Sequence, residues 1–189
     1  MAEKAPESRK EEVARIRSYL ASQAIKRTPA QLVEALREAQ QQFLAAMALV
    51  PDASFHTRPR EGEWSAADVL LHLRTMAACD ASAIPMVIER GEQPPDIQDT
   101  IVPAPPEVTR AGLLADLEAQ RERLSACVLH ADPQAHLDML WGHPEFGRMH
   151  WREWVLFARV HTLDHARQVQ AIAEALASAG GGSADAARH

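Results

Sequence analysis

His161 and His165 stand four residues apart in the apolar-periodic run from Trp151 to Ala173, WREWVLFARVHTLDHARQVQAIA. On a helix, side chains at that spacing lie one turn apart on the same side, close enough to share a metal ion. Two imidazoles make an incomplete site, and His72 offers a third. Flanked by Leu70, Leu71 and Leu73, it lies in a second strongly apolar segment, where an unpaired ring would carry a desolvation cost. Three interior histidines on two facing helices make an N3 set for a divalent ion, with coordination positions left for water or substrate. The competing reading keeps them as hydrogen-bonded core histidines or as part of a partly wet groove.

The surrounding residues limit the chemistry. HTLDH places Thr162 where the metalloprotease pattern HExxH has its general-base glutamate. Asp164 is one residue before the second ligand and Glu153 is two turns upstream, so hydrolysis would rely chiefly on metal-bound water. Asp68, one turn before His72, could accept a hydrogen bond from a ligand ring or serve as the N-terminal charge of its helix. Cys79 follows His72 by seven residues on roughly the same stripe, which also carries Met76. It is either a softer ligand or nucleophile, or a small buried hydrophobe, whereas Cys127 has no local chemical partner and reads as core. Trp64, Trp141, Trp151 and Trp154 bracket the histidine helices as pocket wall or packing anchors. His56, His130, His136, His150 and His189 fall at loops or helix ends, and His143 before Pro144 is expected to tie down its turn. No Gly-rich phosphate loop, nucleophile elbow, redox CxxC or EF-hand pattern occurs.

The elements that must position these residues are helices. Apolar residues make up 47% of the 189, aromatics 5%, and β-branched residues never form alternating runs, so an all-α protein is expected. A net charge of -6 argues against a general nucleic-acid surface. Two cysteines without CxxC spacing suit a reducing, cytoplasmic setting. With no apolar h-region and no 18-residue apolar stretch, secretion and membrane spanning are disfavoured.

Residues 1–7 are expected to fray. An additional N-terminal helix occupies 8–27, with Val13, Ile16, Leu20 and Ala24 at helical spacing. Thr28-Pro29 opens the next helix, whose apolar face holds Leu32, Leu36, Phe43, Met47 and Val50. Ser65 caps the His72 helix, with Asp68 completing a near-capping box, and Pro85 should kink that helix or begin a separate turn. The stretch 91–108 has five prolines, with Ile97, Ile101 and Val102 able to tie it down. Its length suits a crossover between helices that run the same way. Thr109 caps a helix with Leu113, Leu117, Leu124 and Val128 inside. A structured loop with Gly142, Pro144 and Gly147 follows, then a final helix from about His150 to Ser178. Gly180, Gly181 and Gly182 should end it, leaving 179–189 as a disordered tail.

Three segments together resemble the DinB-like superfamily, including its YfiT-like metal-dependent hydrolases. They are WSAADVLLHL from Trp64 to Leu73, the turn HPEFG from His143 to Gly147, and Trp154 through HTLDHARQ, ending at Gln168. The likeness covers about Thr28 to Ala177. It implies a four-helix bundle of down-up-up-down topology over 28–178, frequent homodimerisation, and a metal triad at His72, His161 and His165. It also implies zinc or nickel as the ion, with water in the open positions. Met76, Cys79, Trp154 and Gln168 are then the expected pocket residues, with Asp68 and Asp164 behind the ligands. Some relatives use low-molecular-weight thiols. This chain shows no clear thiol-binding signature, although local arginines such as Arg74 or Arg159 could receive an anionic one.

Two functions follow as expectations. One is a divalent-metal-dependent enzyme acting on a small molecule, as a hydrolase or a low-molecular-weight-thiol-dependent transferase. The other is a non-catalytic, metal-stabilised binding or stress-related dimeric scaffold, motivated by the extra N-terminal helix.

Overall fold

Each helix begins where its sequence offers a side-chain acceptor to the unpaired N–H groups of the first turn. The computed structural model describes residues 8–98 and 102–185. In it α1 (Arg9–Lys26), α2 (Pro29–Ala48) and α3 (Ala66–Arg90) start with reciprocal capping boxes, Ser8 with Glu11, Thr28 with Gln31 and Ser65 with Asp68. Thr109 caps α4 (Arg110–Leu129) through the Gly112 N–H. At α5 (Trp151–Asp185) His150 and Glu153 make the reciprocal pair: the His150 N–H donates to Glu153 Oε2, and the Glu153 N–H to His150 Nδ1. The apolar positions expected inside α2 and α4 are all buried, as are Leu20 and Ala24 of α1.

The helices α2 to α5 form the bundle, and α1 packs on α5. Contacts between them fix their directions. Arg74 of α3 pairs with Asp116 of α4, and Asp80, further along α3, with Arg121, further along α4, so these two helices run parallel. Arg152 at the start of α5 donates to Arg27 O just before α2, while Phe43 and Met47 near the end of α2 share a core cluster with Ala166 and Val169. Those two helices are therefore parallel as well. Arg110 at the start of α4 reaches Val50 O beyond the end of α2, which makes the two pairs antiparallel to each other. This is the down-up-up-down arrangement, and it requires a long return between α3 and α4.

Backbone and side-chain hydrogen bonds hold that return, among them two that its own N–H groups donate. The Ile97 N–H donates to Gly142 O at 2.8 Å, and the Ala104 N–H to Asp68 Oδ1 at 2.7 Å. Ile97 is buried, whereas Val102, expected to help, is exposed, and Ile101 lies outside the described residues. The loop before α5 closes as a small antiparallel hairpin, β1 (Trp141–His143) and β2 (Gly147–Met149), with Trp141 opposite Met149. Its turn uses Gly147 at φ 70°, and His143 Nδ1 accepts from the Glu145 and Phe146 N–H groups, the tying role expected of it.

Two helix boundaries differ from expectation. Pro85 does not start a separate turn; α3 runs unbroken past it, with Ile84 and Val87 buried beside it, to Gly91, whose left-handed φ of 62° ends the helix. Glycines 180–182 do not terminate α5, which runs on to Asp185. Glycine costs about 1 kcal/mol in a helix but keeps its N–H, so it disfavours a helix without forbidding it. Residues 1–7 and 186–189, including His189, lie outside the described residues. Among the described residues no helix is long and apolar enough to cross a membrane.

Candidate metal centre

The second turn of α3 and the third and fourth turns of α5 face each other across the upper core. His72 Nε2 lies 3.1 Å from His161 Nε2, and His165 Nε2 lies 2.9 Å from the same atom. All three candidate donors fall within 4.8 Å of one another. His72 and His165 are each only 8% exposed.

The donor set fits a divalent cation. Nitrogens bound at about 2.0–2.1 Å to a tetrahedral ion sit about 3.3 Å apart, within a few tenths of an ångström of these separations. His165 Nδ1 lies 2.8 Å from Gln168 Oε1, an acceptor, so the neutral ring donates there and leaves its Nε2 lone pair facing the cluster. Two imidazoles crowd one nitrogen of His161, and a single proton cannot make a straight hydrogen bond in both contacts. A cation would accept all three lone pairs. Burial, and then the neighbouring His165 and His72 rings, hold His161 well below the usual histidine range, so it is neutral at pH 7 as a ligand must be.

Aromatic packing sets the rings in place. Trp64 stacks on His165 at 6.1 Å between centroids and meets His72 edge-on at 5.3 Å, while Phe157 stacks on His161 at 5.7 Å. Beneath them lies a buried polar cluster. Arg121 Nη1 donates to Asp80 Oδ2 at 3.4 Å, and Nη2 to Thr162 Oγ1 at 3.2 Å, joining α4, α3 and α5. The Thr162 hydroxyl in turn donates to Ala158 O.

The profile of the DinB superfamily matches residues 35–169, more than half of the chain. The chain belongs to the DinB superfamily. No curated protein matches the sequence. Among solved structures, TT2238, described as a four-helix bundle protein, is 22% identical over 76% of this chain and 99% of its own, with a TM-score of 0.59. YfiT from Bacillus subtilis is described as a probable metal-dependent hydrolase with an unusual four-helix bundle topology. It is 16% identical over 89% of this chain and 91% of its own, with a TM-score of 0.54. At these identities the likeness to both is one of fold.

Within this DinB fold the other expected site residues scatter. Asp68 is committed elsewhere: its oxygens accept from the Ser65 N–H and hydroxyl and from the Ala104 N–H, with Arg58 at 3.3 Å. It caps α3 and anchors the crossover. Met76 and Trp154 are core residues, 6% and 0% exposed, and Trp154 stacks on Trp141. Cys79 is exposed: seven residues is about 10 Å along a helix axis, too far from His72 to share its ion despite the common stripe. Burial pushes its thiol up, as does Asp80, and Cys127 is pushed up to about 12 by burial and Glu89, so neither thiol is a ready nucleophile. Gln168 is a partner of His165 and not a wall of the pocket beside His161. Glu153 is spent on His150 and Arg17. Arg74 pairs with Asp116 on the bundle surface, away from the histidines.

That pocket, of about 510 Å³, lies between α1 and α5; Asp164, Arg159 and Phe157 line it with His161. Sequence reasoning missed Phe157, Gln168 as a hydrogen-bond partner, and the Arg121 cluster. Phe157 was signalled by its place one turn before His161, and Gln168 by its place one turn after His165.

Proposed function

We propose that the protein is a metal-dependent enzyme acting on a small molecule, with His72, His161 and His165 as the ligands of a zinc or nickel ion. The observation that carries this is the meeting of three Nε2 atoms at one point beside an open pocket. A bound divalent ion supplies a lowered pKa for a water or thiol in its open position and polarises an electrophile. The chain's own part is to keep His161 neutral by burial, to aim the three rings through Gln168, Trp64 and Phe157, and to leave His161 bordering the pocket. Of the two carboxylates lining that pocket, Glu12 is paired with Arg9, which leaves Asp164 as the nearer candidate to take a proton. The open pocket favours catalysis over a purely structural ion, since a structural site is closed by four protein ligands.

Metal analysis of protein purified without chelator, with single alanine substitutions of each histidine, tests the triad. About one equivalent of metal is expected in the parent chain and at least a tenfold loss of affinity in each variant. Undiminished metal in all three would remove this reading. Turnover of electrophilic esters and alkyl halides with and without added low-molecular-weight thiol then separates hydrolysis from thiol transfer. Equal rates without thiol point to water as the nucleophile.

A further inference from the structure

One wall of the cavity beside His161 comes from α1, which lies before residue 35, where the family match begins. Glu12, Ile16 and Tyr19 recur at helical spacing, so one stripe of α1 borders the cavity. Phe157, His161 and Asp164 form a stripe of the same period on α5. Further along α1, Leu20 and Ala24 are fully buried in the core, so the position of this helix beside the histidines is part of the fold.

Two polar groups meet at one point of this cavity. Arg159 Nη1 of α5 donates to the Tyr19 hydroxyl of α1 at 3.1 Å, and both side chains line the cavity. That bond uses one lone pair of the phenol oxygen and leaves the phenol's own proton without an acceptor among the described residues. Arg159 is likewise under-used. Its acceptor is a neutral phenol and not a carboxylate, and its Nε is a buried donor with no partner. Buried donors in that state carry a cost that an incoming acceptor relieves. Ile16, Phe157, Val160 and Leu163 supply apolar lining. Unsatisfied donors held together beside apolar surface suit the oxygen of a molecule that is otherwise apolar.

We infer that Tyr19 and Arg159 are the recognition point of this cavity, that they bind the oxygen of a small apolar carbonyl compound, and that α1 thereby sets the specificity of the site. The Tyr19 O–H donates to that oxygen, while Arg159 orients the phenol and offers a further N–H. The apolar body lies along Ile16 and Phe157, toward His161. This rests on the proposed metal centre for its place in catalysis. The preference for an acceptor stands on the Tyr19–Arg159 pair alone, so the two can fail separately.

The test is an NMR titration of the full chain, zinc-loaded and chelator-treated, with 4-phenylbutan-2-one and the isosteric 4-phenylbutan-2-amine, with zinc content measured in each sample. The ketone offers only an acceptor where the ammonium offers only donors. The ketone is expected to bind about tenfold tighter in both metal states and to shift the Arg159 Nε–H and Tyr19 ring resonances. Tyr19→Phe should weaken the ketone about three- to tenfold and leave the amine and the zinc content unchanged. Arg159→Met should weaken it at least as much, and Arg159→Lys, which keeps a charged donor, should recover part of that loss. Thermal unfolding of each variant shows whether a loss reflects folding. A Tyr19–Arg159 bond that only holds α1 on α5 would lower the melting temperature in Tyr19→Phe without altering the ketone-to-amine ratio, and that result overturns the inference. Equal or absent binding of the two probes overturns it as well, as does a tighter amine, which would make Asp164 the dominant group. A ketone preference found only with zinc does the same, because the oxygen then sits on the ion. An intact preference in a chain that binds no zinc supports the recognition point and counts against the metal centre.

Discussion

At the scale of single residues, the centre depends on a side chain that touches no proposed substrate. Gln168 Oε1 accepts from His165 Nδ1 and so fixes both the tautomer and the plane of that ring. Substituting such a partner commonly lowers metal affinity 10- to 100-fold. Gln168→Ala is therefore expected to bind zinc 10- to 100-fold more weakly in a competitive chelator titration, with a melting temperature near that of the parent. Gln168→Glu, which keeps an acceptor, should recover most of the affinity. If Gln168→Ala matched the parent, the hydrogen bond would have no role in orienting the ring. The three histidines were legible because each interrupts an apolar helical face, where imidazole is costly without a partner. Gln168 was not singled out for this role, since a glutamine near the end of a helical run has many ordinary reasons to be there. Cys79 misled for a geometric reason, because helical phase repeats every seven residues while the rise along the axis does not.

At the scale of helices, α3, α4 and α5 are joined below the histidines by a buried charge pair. Asp80 and Arg121 are 5% and 3% exposed. Burial raises the Asp80 carboxyl to about 7, against the opposing pull of Arg121. The folded value lies above the unfolded one of 3.8, so between them the folded chain holds the extra proton. The stability this group contributes is complete below the unfolded value and is lost as pH rises through about 7. Asp80→Asn should flatten that part of the stability–pH profile in urea titrations. Arg121→Met alone should cost about 3–5 kcal/mol at pH 8 by leaving a buried carboxylate unpaired, and Asp80→Leu with Arg121→Met should recover most of it. A double variant as unstable as the single one would show that the pair does more than compensate charge. The leucine spacing of α4 placed Leu113, Leu117, Leu124 and Val128 inside. It also left the inward position between Leu117 and Leu124 to an arginine whose partners lie 41 residues away on either side. Helical period shows which face is inward, but it cannot show which distant charge meets it there.

For the molecule as a whole, two parallel helix pairs set antiparallel to each other require the chain to travel back the length of the bundle between α3 and α4. The proline-rich length of 91–108 made that return legible, and the capping signals made the helices legible. The anchoring points were not, since they pair backbone groups of the crossover with residues far away in sequence. Asp68 is the clearest case. Burial opposes its ionisation, yet the hydrogen bonds from Ala104 and Ser65, with Arg58 alongside, hold its carboxyl below the usual value of 3.8. One charged group thus caps the helix that carries His72 and ties down the crossover. A lowered folded value means that the stabilisation is present above the unfolded value and disappears as pH falls through the folded one. Asp68→Asn keeps the shape but turns an acceptor into a donor facing the Ser65 N–H and Arg58. It should destabilise the protein by about 1–3 kcal/mol at pH 7, and by progressively less as the parent is titrated below about pH 4. Asp68→Ala also removes the oxygen that accepts from the Ala104 N–H, so in that variant limited proteolysis should cut within 91–109 faster than in the parent while the helices remain protected. An unchanged cleavage pattern together with a pH-independent loss of stability would mean that Asp68 acts only as a cap on α3, and that packing of Ile97 against the hairpin suffices to hold the return.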